Sequence, residues 1–163
     1  MTKIYVGTIN SFHGIKGDLK ILSDFEMKEK VYKKNSIIYI DGIKHVITSS
    51  KIHKNNYLIT IDNLFDINKV NDFLKKDIYI DREDLNLTDG EYLVNDLIDF
   101  DVYDENYYIG KVYEIRYSVN SKILCIVANK NIFIPLLDNF INSIDFSSKK
   151  IYTNNGKEFI LWK

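Results

Sequence analysis

Cysteine, proline and tryptophan each occur once in this 163-residue chain, and histidine three times. A lone Cys125 can neither close an internal disulfide nor build a thiolate metal site, which points to a reducing compartment and hence to the cytoplasm. His13, His45 and His53 form no helical pair and sit in no carboxylate-rich motif, so no metal and no cofactor is assigned. No apolar run approaches the roughly 20 residues that span a bilayer as a helix. Met1 to Gly7 reads as the start of a strand and lacks the long apolar core of a signal peptide, so the expectation is a soluble protein without a membrane partner. With 45% hydrophobic residues, disorder is excluded as well.

What is present favours strands. Twelve Tyr and nine Phe bring the aromatic content to 13%, and ring side chains pack well on pleated surfaces. Lys3 to Phe12 alternates apolar and polar residues and ends at His13-Gly14-Ile15-Lys16-Gly17, where two glycines permit a tight reversal before a second strand from Asp18 to Leu22. Asp41-Gly42 separates Ser36–Ile40 from Ile43–Thr48, and Lys54-Asn55-Asn56 turns the chain again before Tyr57–Ile61. Such a meander closes most economically into a small barrel, which leaves no exposed edge. Between Asp66 and Lys75 the spacing of Ile67, Val70, Phe73 and Leu74 predicts one short helix with Asp66 as its N-cap, followed by a strand at Ile78–Ile80. The polar run from Arg82 to Gly90 reads as a linker. The expected organisation is an N-terminal domain over 1–84, a linker over 85–90 and a C-terminal domain over 91–163. The second domain repeats the all-β style in strands at Asp101–Tyr103, Tyr108–Arg116, Ile123–Ala128, Asn131–Ile134, Ile144–Phe146 and Ile151–Tyr152, with Pro135 ending the fourth because it has no N–H for a ladder.

No set of side chains reads as catalytic. The segment around His13 lacks the spacing of a phosphate-cradling loop and the helix that follows one, which leaves a structural turn whose Lys16 reaches an anion at most. Cys125 stands between Leu124 and Ile126 and reads as a core residue. Acidic neighbours such as Asp99 and Asp101, or Asp104 and Glu105, are typical of solvated turns. Charge is unevenly shared: residues 1–82 hold 14 Lys plus Arg against 10 Asp plus Glu, while residues 83–163 hold 8 against 13. That split is either chance or a division of partners, anionic phosphate for the first half and a basic surface for the second. Glu91-Tyr92-Leu93-Val94-Asn95-Asp96-Leu97 opens the second half with a cluster that reads either as inter-domain packing or as a docking strip anchored by Tyr92.

Several of these segments together resemble the RimM family of bacterial ribosome maturation factors. The resemblance rests on Val6-Gly7, His13-Gly14-Ile15-Lys16-Gly17 and Lys20, then Phe73 to Tyr79, Glu91-Tyr92, Asp96-Leu97-Ile98, Val102, Ile109-Gly110-Lys111-Val112 and Ile134-Pro135. It implies a mostly β fold of two small barrels, an N-terminal six-stranded one with a short helix and a C-terminal one of the photosynthetic-reaction-centre (PRC) type. Gly7, His13, Gly14, Gly17, Gly110 and Pro135 are then structural signatures. It also implies a non-enzymatic, monomeric assembly factor for the head of the 30S subunit, without a small-molecule substrate. Its implied partners are ribosomal protein S19, through Tyr92, Leu93 and Val94, and 16S rRNA in the immature subunit, through Lys16 and Lys20. Three departures stand out. Leu93 and Val94 replace further aromatics, Asp99 stands where the family usually has glycine, and the chain ends in Phe159-Ile160-Leu161-Trp162-Lys163. The competing reading is a PRC-type recruitment module unrelated to the ribosome.

Overall fold

The computed structural model describes residues 2–160 and divides into two compact units, Met1–Glu91 and Tyr92–Lys163. The first contains strands β1 (Lys3–His13), β2 (Asp18–Leu22), β3 (Ile37–Ile40), β4 (Ile43–His53), β5 (Asn56–Ile61) and β6 (Asp77–Asp81), which close in the order β1-β2-β5-β4-β3-β6. Closure depends on two long strands that each serve two neighbours. β1 pairs with β6 through Lys3–Thr8 and with β2 through Thr8–His13, while β4 pairs with β3 before Ile47 and with β5 after it. Register shifts at Tyr5/Gly7, Ile9/Ser11 and Ile47/Ser49 coil these strands, as bulges do in small barrels. Inside lie Val6, Ile9, Leu19, Ile38, Ile47 and Ile59, all at 2% exposure or less. Each fully buried side chain of this size contributes about 1.5–3 kcal/mol.

The helix expected over Asp66–Lys75 is present but broken. A single α-turn, α2 (Ile67–Val70), passes into a 3-10 turn over Asn71–Phe73, and Lys75 takes φ 65°. Asp66 caps it as expected, its Oδ1 accepting the Asn68 N–H at 2.9 Å. A further one-turn helix, α1 (Lys28–Val31), precedes β3; its four residues are too few for periodicity to reveal, and Val31 alone is buried. Arg82–Leu85 forms a 3-10 turn with Leu85 buried, so the start of the polar run packs into the first unit.

The second unit opens with a 3-10 turn at Val94–Leu97, followed by β7 (Asp101–Asp104), β8 (Tyr107–Tyr117), β9 (Lys122–Val127), β10 (Asn131–Pro135), β11 (Ile141–Asp145) and β12 (Lys150–Thr153). The order is β10-β9-β8-β7-β12-β11, all antiparallel except β12 against β7. Ile132 and Ile134 of one end strand share a core with Ile141 and Ile144 of the other, together with Leu97, Val112 and Leu124, so the sheet curls around a single apolar centre. Pro135 ends an end strand, where a missing N–H costs no ladder bond. Among the described residues no helix is long and apolar enough to cross a membrane.

Candidate functional site

The signature positions of the first unit converge on the entry and exit of β1. A Cβ on Gly7 would stand 2.5 Å from the Tyr32 hydroxyl and 3.0 Å from the Leu22 carbonyl. That hydroxyl donates to the Val6 carbonyl at 2.7 Å, and burial holds its phenol well above the ordinary tyrosine range. At the other end Gly17, φ 71°, lies under α2: a Cβ there would meet the Ile67 Cα at 2.8 Å. Gly14 has open space and only its positive φ to satisfy. Between them Ile15 and Lys16 project into solvent.

His13 stands at the end of β1, and the β2-β5-β4 pairing carries the β4–β5 hairpin to its side. The two imidazoles of His13 and His53 meet with centroids 4.8 Å apart. With Lys20, Lys54, Asn56 and Leu58 they line a hollow of about 150 Å³. Lys20 therefore faces this hollow, whereas Lys16 belongs to the exposed turn. Sequence reasoning missed His53 and Lys54. The turn at Lys54-Asn55-Asn56 was legible, but the approach of His53 to His13, 40 positions earlier, follows only from barrel closure.

The third histidine is tied down elsewhere. His45 is buried, its Nδ1 2.5 Å from Asp62 Oδ2, and its ring meets Phe73 edge-on. A larger hollow of about 270 Å³ beside α1 holds Lys33 and Lys34, but Asp84 shares its lining and Lys30 is bridged to Glu91 at 2.9 Å. Cys125 is fully buried, and burial raises its thiol above the ordinary cysteine range. Among the described residues no three His, Cys, Asp or Glu side chains are grouped to hold a metal.

In the second unit Leu93 and Val94 are buried at 6% and 3% exposure. Tyr92 is partly buried against the core, its ring 5.1 Å from that of Phe146, which in turn meets Phe100. The carboxylate of Asp96 accepts the Leu93 N–H at 3.2 Å and fixes the segment. Asp99, in the glycine position of the family pattern, adopts φ 73°; its N–H donates to the Val112 carbonyl at 2.8 Å, so the left-handed turn persists without glycine. Gly110 is required by space: a Cβ would lie 2.5 Å from the Val127 carbonyl across the β8–β9 ladder. Leu161–Lys163 of the divergent tail lie outside the described residues.

Two β modules in tandem, carrying a cationic hollow on one and an aromatic opening segment on the other, define a protein built around surfaces. Residues 4–85 match the RimM N-terminal domain and residues 89–160 the PRC-barrel domain. The chain belongs to the RimM family. It is 36% identical over 155 residues to the ribosome maturation factor RimM of Ligilactobacillus salivarius, covering 90% of this chain and 92% of that one. It is 31% identical over 150 residues to the RimM of Clostridium botulinum strain Langeland, covering 90% of each. Among solved structures it aligns with a 16S ribosomal RNA processing protein RimM from Pseudomonas aeruginosa at TM-score 0.42 and 16% identity, over 97% of this chain and 100% of that one.

Proposed function

We propose that this protein is a non-enzymatic assembly factor for the head of the 30S ribosomal subunit, acting as a cytoplasmic monomer. In this reading the N-terminal module touches 16S rRNA through Lys16 and Lys20, and the C-terminal module docks ribosomal protein S19 at the segment Tyr92-Leu93-Val94, with Tyr92 making the contact because Leu93 and Val94 are buried. The observation that carries it is the match to curated ribosome maturation factors along nine-tenths of the chain, both modules included. The surfaces agree in chemistry. Lys20 lines a hollow without a carboxylate among its described residues, as a phosphate contact requires. Tyr92 is partly buried against the core with its ring beside Phe146, a rigid aromatic of the kind that anchors an interface. The linker of 85–90 between modules of 1–84 and 91–163 begins, in this reading, at a Leu85 that packs into the first unit.

Sedimentation of the full chain with free small subunits, mature ribosomes and immature particles tests the proposal. Selective association with free or immature small subunits is expected. No association with any small-subunit particle would instead favour a recruitment module working away from the ribosome.

A further inference from the structure

We propose that the hollow formed by His13, Lys20, His53 and Lys54 is a subsite for a phosphodiester of RNA. The inference rests on the RNA-binding reading above and extends it to two residues of the β4–β5 hairpin and to a defined ligand chemistry. Four side chains that donate and carry or accept positive charge converge there from three strands and a turn. Both lysines lack a carboxylate partner among the described residues. The nearest acid in the ladder, Asp18, opposite His13, is engaged by Lys51 at 3.3 Å and so leaves the field of the hollow positive. Each imidazole offers an N–H in either tautomer, and the two ring centroids lie 4.8 Å apart at the same hollow.

Lys54 reaches the hollow from the turn. It sits at φ 48°, followed by Asn55 at φ 66°, in the two central positions of the hairpin turn, where glycine or asparagine is easiest. The turn thereby brings a second lysine, beside Lys20, to the rim formed by His53. The hollow, about 150 Å³, has room for a phosphate group, and its lining offers basic donors. A basic lining without a carboxylate among its described residues favours the backbone over the bases of the nucleic acid.

Only three histidines occur in the chain, so ring resonances of the full-length protein, labelled at histidine, report the site directly. A ten-nucleotide single-stranded RNA and inorganic phosphate are titrated in parallel. The RNA is expected to move the His13 and His53 signals, leave those of Asp62-bound His45 in place, and act at concentrations well below those of phosphate. Lys20→Gln and Lys54→Asn, the latter well suited to its left-handed turn, are each expected to lower RNA affinity about three- to tenfold near physiological salt and make its salt dependence shallower by about one ion. An unchanged His45 signal certifies that each variant is folded. Silent His13 and His53 rings with RNA, or a response to inorganic phosphate alone, overturn the subsite. Ring responses to RNA in a protein that fails to sediment with any small-subunit particle would uphold the subsite and remove the ribosomal reading. Sedimentation with silent rings would do the reverse.

Discussion

Single residues set the geometry of both modules, and most of them act through space that a side chain would fill. Gly7, Gly17 and Gly110 are held by neighbours at 2.5–2.8 Å from an added Cβ, so their place in the family pattern has a mechanical cause. Asp99 is the converse. It occupies a left-handed position at φ 73° with its backbone N–H bonded to Val112 and its carbonyl accepting from the Lys111 ammonium at 3.1 Å. Neither bond needs the carboxylate. Asp99→Gly is therefore expected to be neutral or to stabilise by up to about 1 kcal/mol, the relief of Cβ strain outweighing the added freedom of the unfolded chain. Urea unfolding reads this directly, and a clearly lower midpoint would mean that the side chain makes a contact worth more than the strain. Cys125 needed no structure to be understood: flanking Leu124 and Ile126 already read as a core strand, and the side chain is fully buried.

At the level of elements, all twelve strands were legible from alternation and turn residues, with ends displaced by a few positions. β4 is the largest displacement, running to His53 and not Thr48, because its second half alternates polar Ser49 and Lys51 with Ser50 and Ile52 and so carries no apolar signal of its own. The short helices were less legible. Periodicity cannot mark a single turn, and α2 dissolves into 3-10 geometry before the expected Lys75. The β11–β12 turn shows how a polar side chain can specify an element. Asp145 Oδ1 accepts the Ser147 hydroxyl at 2.7 Å and the N–H groups of Ser147 and Ser148 at 3.0 and 3.2 Å. The hydroxyls and N–H groups of these two serines draw its carboxyl down from 3.8 to about 2. A depressed carboxyl stabilises the fold above its unfolded value and loses that contribution as pH falls through the folded one. The stability gap between the protein and Asp145→Asn should thus be constant above about pH 4 and shrink between about pH 4 and 2. Parallel unfolding curves at several acidic pH values check this, and a gap independent of pH would assign the turn to backbone preference alone.

For the whole molecule, the two modules offer different local surfaces, a hollow without a carboxylate among its described residues on one and an aromatic segment beside Phe146 on the other. In the proposed division of partners the C-terminal half carries the docking to ribosomal protein S19. A fragment of residues 91–163 should then retain that binding, and Tyr92→Ala in the full chain should weaken it by about 1–2 kcal/mol. Titration calorimetry against the isolated ribosomal protein measures both; full affinity in the N-terminal half alone would overturn the division, and unchanged binding by a folded Tyr92→Ala would return that ring to packing against Phe146. The RNA subsite was the least legible part, since nothing in a linear reading brings His53 to His13. Each module is also completed by its last-made strands. β6 must pair with β1, Asp81 opposite Lys3, and β12 enters between β7 and β11 in parallel with Asp101–Asp104, about fifty residues earlier. During synthesis β7 therefore keeps one edge open until β12 has been made, and loop closure over these separations makes each module slow to form and late to protect its edges. The first module can thus complete its surface while the second still waits for β12.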